Sequence, residues 1–249
     1  MEPKYGQIYS ELYLRHWWWR VRELCILDSL HEYQPGTMWG EILDVGCGNG
    51  LFFDHLLKLG NVEGVEPDAR LVDPRGPHFK RIHVASFDET FLPRKQYSLI
   101  LMLDVLEHFP NPISAFRHAV SLLAPDGVVV CTVPAFRFLW TSHDLLNHHF
   151  TRYSKKSFRA LSRLADFEIR YDQYLFQWLF FAKMLVRLKE KVFDRTPTVP
   201  RIPASWINKT LFHLTYTEYH LFRRFSVPFG SSLLVIGRKS ADGVTGTDE

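Results

Sequence analysis

The sequence predicts an α/β protein built on a doubly wound parallel sheet with helices on both faces. Three observations carry that expectation. A short apolar run, Ile42 to Val45, breaks directly into Gly46, Gly48 and Gly50 before an amphipathic segment opens at Leu51, which is the pattern of a buried strand, a tight turn and a helix start. Downstream, short β-branched runs alternate with helical stretches. The chain is 249 residues long and 46% hydrophobic, enough for one such domain with a good core and room for an insertion.

Taken in order, Tyr9 to Leu30 has helical periodicity, with Leu12, Trp19, Leu24 and Leu27 as a core stripe and Arg15, Arg20, Arg22 and Glu23 outside it. Residues 1–35 are therefore expected to form an N-terminal helical lid. Trp17, Trp18 and Trp19 are adjacent within it, and helical neighbours lie about 100° apart, so the three indoles cannot share one face. Trp18 is the one assigned to a ligand; the alternative is a packed terminal helix. After the glycines come a helix (Leu51 to Leu59) and a strand (Val62 to Val65) leading into Glu66-Pro67-Asp68. Strands follow at Arg81 to Val84, Ser98 to Leu103 and Val128 to Val133, with a helix from Pro112 to Leu123 between the last two. Helix Lys155 to Ala165, strand Phe167 to Asp172 and a last strand, Ser231 to Arg238, complete the pattern.

Between those final strands lies a helical insertion or cap, 174–228. Tyr174 to Leu188 is apolar nearly all round, then turns basic; Pro197, Pro200 and Pro203 break it, and a second helix runs from Trp206 to Phe225. A helix apolar on every side is either buried or seated in a membrane interface or greasy channel, and the sequence leaves both readings open. Residues 240–249 read as a flexible polar tail. The whole is expected to be one domain.

Composition excludes several classes. A formal net charge of +3 with scattered basic residues gives no nucleic-acid face. Cys25, Cys47 and Cys131 show no CxxC spacing and read as reduced, packed thiols. The start, Met1 to Tyr5, lacks a basic-then-apolar signal, and no run reaches the roughly 18 apolar residues of a membrane span. A cytoplasmic protein is expected, with peripheral membrane contact through the insertion as the open question. The 20 Phe and 7 Trp exceed what a core of this size usually requires, so some of them are expected to line a pocket or face a membrane. The sequence carries no sign of oligomeric state.

The glycine turn calls for a nucleotide-like ligand, because glycine lets the backbone turn sharply and a ligand approach, beside free N–H groups. The GxGxxG fingerprint of dinucleotide binders is absent, since Leu51 stands at its last position, and no GK[ST] follows for a triphosphate. Glu66 lies 20 residues beyond Gly46 at a strand end, where a carboxylate accepts ribose hydroxyls. Asp44 sets a negative charge just before the glycines, which repels a pyrophosphate and suits an ammonium or sulfonium. That combination points to S-adenosylmethionine.

With these residues in view, the chain resembles class I S-adenosylmethionine-dependent methyltransferases of the ubiquinone-biosynthesis-like group. The resemblance rests on Leu43 to Gly50, Gly64-Val65-Glu66-Pro67-Asp68, Leu99 to His108 with Asn111-Pro112, Leu123 to Gly127, and Thr132-Val133-Pro134. It implies a Rossmann-like seven-stranded sheet whose last strand is antiparallel and enters between the fifth and sixth. It implies that Asp44, Gly46, Cys47, Gly48 and Gly50 hold the amino-acid end of the cofactor, Glu66 and Pro67 the ribose, and Ser86-Phe87-Asp88 the adenine. Leu103 and Asp104 would run beneath the methionine part, and S-adenosylhomocysteine would be the product. Tyr97-Ser98 departs from the Phe-Asp usual in relatives.

Methyl transfer is an in-line displacement, so the protein mainly aligns the reactants, and a base matters chiefly for a hydroxyl acceptor. The segment after the fifth strand supplies the candidates, because ligands of open α/β sheets sit at strand carboxyl ends. Within Trp140 to Tyr153, Trp140, Asp144, Arg152 and Tyr153 read as an active-site cover that touches the substrate. His149 is the preferred general base, with His108 as its rival. The other readings are that His148 and His149 cap the next helix or hydrogen-bond the loop and that Arg152 pairs with Asp144. The irregular spacing of these histidines argues against a metal. The expected activity is methyl transfer to a small apolar, aromatic or lipid-like acceptor, at oxygen; the alternative is a protein of the same fold that binds the cofactor without catalysis.

Overall fold

The computed structural model describes residues 3–193 and 199–240. Its sheet has seven strands in the order β3-β2-β1-β4-β5-β7-β6: β1 Gly40–Val45, β2 Gly60–Glu66, β3 Ile82–Val84, β4 Tyr97–Leu103, β5 Leu123–Pro134, β6 Phe167–Leu175 and β7 Ser232–Lys239. The pairs among β1 to β5 are parallel, while β7 runs antiparallel to both β5 and β6. The expected topology is therefore present, including the last strand between the fifth and sixth.

Alternation along the central strands explains why both faces are covered. In β1 and β4, Leu43, Ile100 and Met102 join one core with Phe116 of α4 (Pro112–Ser121) and Phe158 of α6 (Lys155–Leu164). Their neighbours Ile42, Leu99 and Leu101 point the other way, into a second core with Val21, Cys25, Ile26 and Leu30 of α2 (Trp17–Glu32). Successive strand side chains face opposite sides, so a nearly continuous apolar run fills two cores at once. Phe116 is fully buried, and truncating such a side chain to Ala costs about 3–5 kcal/mol.

Several elements differ from the sequence expectation. The single helix expected over Tyr9 to Leu30 is two, α1 (Pro3–Arg15) and α2, broken at His16. His16 is extended, and its Nδ1 accepts a 3.2 Å hydrogen bond from the Trp18 N–H, an N-cap that starts α2 afresh. The three indoles then diverge: Trp17 meets Trp178, Trp18 meets Phe176, and Trp19 meets Tyr9, at ring separations of 5.5, 5.8 and 6.2 Å. The helix expected over Leu51 to Leu59 shrinks to α3, Phe53–Leu56, flanked by turns. Strands β5 and β6 outrun their expected ends: a register shift against β4 takes up the extra residues of β5, and in β6 Gln173 to Leu175 continue the pairing with β7.

The insertion forms α7 (Gln177–Val192) and α8 (Ser205–Phe222) after a short α5 (Ser142–Leu146) earlier in the chain. Despite its composition α7 is not a buried helix: Phe181, Met184, Leu185, Leu188 and Val192 are exposed. The buried reading of that stretch is thus corrected, because α7 packs by one edge only. No described helix is long and apolar enough to cross a membrane. Cys25 and Cys131 are buried free thiols and Cys47 is a half-buried one. Pro197 and the tail from 241 onward lie outside the described residues.

Candidate active site

The ends of β1, β2 and β4 converge at the glycine turn. Gly46, Gly48 and Gly50 have φ of 71°, 54° and 68°, a region that side-chain-bearing residues rarely adopt. At Gly46 a Cβ would lie 2.7 Å from Val105 Cγ2, whereas at Gly48 it would meet nothing within 4 Å. Gly48 thus borders open space.

Two buried carboxylates flank that space. Glu66 accepts from the backbone N–H of Gly48 at 3.0 Å and of Asp68 at 2.9 Å, one oxygen each. A carboxylate oxygen has further lone pairs, so both remain able to accept ribose hydroxyls. Asp44 is buried, and burial pushes its carboxyl up to about 7, with Arg22 pulling it down and Glu66 pushing it further up. A cationic ligand would restore its charge.

Sequence reasoning missed Arg22. From α2 its Nη2 donates to Asp104 Oδ2 at 2.7 Å and to Thr132 Oγ1 at 3.2 Å, and Thr132 in turn donates to Asp104 Oδ1 at 3.2 Å. Arg22 Nε is buried without a partner, and the Trp18 ring lies 5.7 Å from the guanidinium carbon. An orphaned guanidinium donor beside an open glycine turn and two buried carboxylates fits a zwitterionic amino-acid group, the ammonium near Asp44 and the carboxylate near Arg22. Nothing in the helical period marked Arg22, since it was read as solvent-facing.

The adenine assignment reaches the structure unevenly. Phe87 is a core residue against Phe91 and His118. Asp88 is exposed and accepts from Thr90 N and Oγ1, which hold its carboxyl below its usual value. Pro67 is exposed, and Leu103 and Asp104 are half-buried at the end of β4, where Asp104 has φ of 56°.

The second cluster lies over the carboxyl ends of β4 and β5. Asp144, fully buried in α5, accepts from Arg152 Nε and Nη2 at 2.8 and 2.9 Å, from His149 Nδ1 at 2.9 Å and from Thr141 N at 2.8 Å. Burial alone would raise this carboxyl; the His149 and Arg152 bonds outweigh it and hold Asp144 well below the usual range. Arg152 Nη1 donates to Ala135 O at 3.0 Å, and Tyr153 Oη donates to Leu106 O at 3.2 Å. Asp144, Arg152 and Tyr153 are therefore engaged with one another or with main-chain carbonyls, and the pair of Arg152 with Asp144 is present. Trp140 is half-buried at the end of a 3₁₀ turn, and among the described contacts nothing ties its ring to the histidines.

Those histidines do come together. The His108 and His149 rings lie 4.8 Å apart, edge to face, and burial, then His149, lowers His108 to about 4. Glu107, quoted in the motif but given no role, sits beneath them fully buried, with neither carboxyl oxygen partnered. Burial and Asp104 push its carboxyl well above the usual range. Its Oε1 is 4.0 Å from His149 Nε2. The ligand atoms of Glu107, His108 and His149 all fall within 4.8 Å of one another, so a donor set that the sequence spacing did not assemble exists in three dimensions and could hold a cation once Glu107 is ionised.

A seven-stranded sheet with one antiparallel insertion, a glycine turn and a strand-end carboxylate define a class I, S-adenosylmethionine-dependent methyltransferase architecture. Residues 19–171 match a methyltransferase domain model, and the chain belongs to that family. Among curated proteins it is similar to the ubiquinone biosynthesis O-methyltransferase of Actinobacillus pleuropneumoniae serotype 7, 28% identical over 115 residues, covering 41% of this chain and 49% of that one. The Cupriavidus pinatubonensis protein of the same description is 28% identical over 148 residues, covering 53% and 59%. The chain thus spans about half the length of the curated relatives it matches. Solved structures share the fold: N-methyltransferase NodS of Bradyrhizobium japonicum, in complex with S-adenosylhomocysteine, has a TM-score of 0.53 at 13% identity over 89% of this chain and 87% of that one. The [4+2]-cyclase SpnF has a TM-score of 0.58 at 15% identity over 96% of each.

Proposed function

We propose that this protein transfers a methyl group from S-adenosylmethionine to a hydroxyl of a small apolar acceptor, with His149 as the general base. The observation that carries the base is the Asp144–His149 hydrogen bond. Because Nδ1 meets a carboxylate held ionised by Arg152, the neutral ring keeps its proton there and presents the Nε2 lone pair. His149 then accepts the acceptor's hydroxyl proton, Asp144 stabilises the resulting imidazolium, and Glu107, with its proton retained, adds no competing charge. Asp44, Glu66 and Arg22 would hold the cofactor, which when bound supplies an electrophilic methyl on sulfur. The relatives named as O-methyltransferases support oxygen as the acceptor atom. SpnF shows that the same fold hosts other chemistry, so the fold by itself is not the argument.

The acceptor is read as aromatic or lipid-like because Phe136, Phe138, Phe180 and Phe229 pack together beside this cover. The exposed apolar stripe of α7, with the exposed Lys189 and Lys191 beside it, supports peripheral contact with an anionic bilayer.

His149→Ala is the test. Turnover with labelled cofactor and a lipid extract is expected to fall by about 10²- to 10⁴-fold, while calorimetric affinity for S-adenosylhomocysteine stays within about twofold. An unchanged rate removes His149 from the mechanism; absence of methyl transfer by the unmodified protein favours a binding role.

A further inference from the structure

Helix α7 is held over the active-site cover at two points. Phe180 packs on Phe136 and Phe138 at ring separations of 5.7 and 5.9 Å. Ten residues on, the Glu190 carboxylate accepts from Ser142 N and Oγ, the latter at 2.7 Å. Phe180, Lys183, Arg187 and Glu190 are spaced three, four and three apart, so they share a helix face. Lys183 is therefore aimed from that face at the same segment, and its electrostatic neighbours are Arg152, Asp144 and Asp104.

Each carboxylate near it already has partners. Asp144 is engaged by Arg152, His149 and Thr141, and Asp104 by Arg22 and Thr132. Lys183 is half-buried, and no hydrogen bond or ion pair involving it is found among the described residues. With the Arg152 guanidinium as its leading electrostatic neighbour and no partner of its own, this ammonium is favoured by a group that brings a negative charge. Burial, reinforced by Arg152, lowers Lys183 to about 7. A single cation with Asp104 and Asp144 close by suits one negative charge better than a dianion.

Resting on the methyltransferase reading, we propose that Lys183 binds the carboxylate of an acidic acceptor and so selects for acceptors that carry one negative charge. The insertion thereby contributes a recognition residue as well as a cover. The phenylalanines around Phe180 seat the apolar part of the same molecule.

The test uses the full chain saturated with S-adenosylhomocysteine, and two probes of the same shape, 4-butylbenzoate and the neutral 4-butylbenzamide. The unmodified protein is expected to bind the benzoate at least about tenfold more tightly. At pH 8 it should take up a proton on binding, read from calorimetry in buffers of different ionisation enthalpy, because the anion restores the charge of Lys183. The groups facing Lys183 that could also titrate are His143, Asp144, Arg152 and Asp104, so the variants must separate them. Lys183→Met is expected to lose both the preference and the proton uptake. Lys183→Arg should keep the preference and lose the uptake, since guanidinium stays charged. No preference in the unmodified protein, no benzoate binding, or an unchanged preference in Lys183→Met overturns the assignment. Failure to bind S-adenosylhomocysteine at all sinks the methyltransferase reading instead.

Discussion

Asp44 shows how one side chain can couple folding, ligand binding and pH. Its carboxyl stands at about 7 in the folded chain against an ordinary 3.8. A carboxyl raised on folding contributes stability below its unfolded value and loses it as pH climbs through the folded one. The ligand-free protein is therefore expected to lose about 2–4 kcal/mol from this group between pH 4 and pH 8. Urea unfolding across that range should show the decline, and Asp44→Asn should flatten it; parallel curves for the two proteins would refute the account. The residue scale is also where sequence reasoning was least complete. His108 and His149 were found because imidazole titrates near neutrality, whereas Glu107 carries a role only through its buried, unpartnered oxygens, which no spacing rule exposes.

Elements were read well where their cause is local. The glycine turn follows from three left-handed backbone positions beside an apolar strand, and both signals lie within ten residues of sequence. Helix α7 shows the opposite case. An apolar composition fits a core helix and an interfacial one equally, and only packing separates them: Phe181, Leu185, Leu188 and Val192 are 54, 69, 60 and 70% exposed along one face. Vesicles containing about one third phosphatidylglycerol are expected to float the protein, and salt should weaken the association by screening Lys189 and Lys191. Leu185→Glu with Leu188→Glu should abolish flotation with folding unchanged; flotation that survives both substitutions would exclude this face as the contact.

At the scale of the molecule, the N-terminal helices are tied to the sheet through Arg22, whose partner Thr132 lies 110 residues away. On the proposed reading the same guanidinium receives the cofactor carboxylate, so ligand binding and the seating of α2 should be linked. Saturation at about 100 times Kd stabilises a folded protein by about 2.7 kcal/mol. Arg22→Met is expected to weaken S-adenosylhomocysteine binding by tenfold or more and to shrink the accompanying rise in Tm. A variant with the affinity of the parent would place Arg22 outside the cofactor site. The sequence by itself determined the α/β class, the order of strands and helices, and the motifs that mark the cofactor end, because strand alternation, glycine turns and strand-end carboxylates are written in neighbouring residues. The pairing of Asp144 with Arg152 and His149, the seat of Arg22, the seclusion of Glu107 and the aim of Lys183 were decided only in three dimensions. The contacts of Arg22 join segments 110 residues apart, whereas His149 and Arg152 lie within eight residues of Asp144 and meet it only in the folded loop; the charges of these groups take their character from burial, which no local pattern of residues specifies.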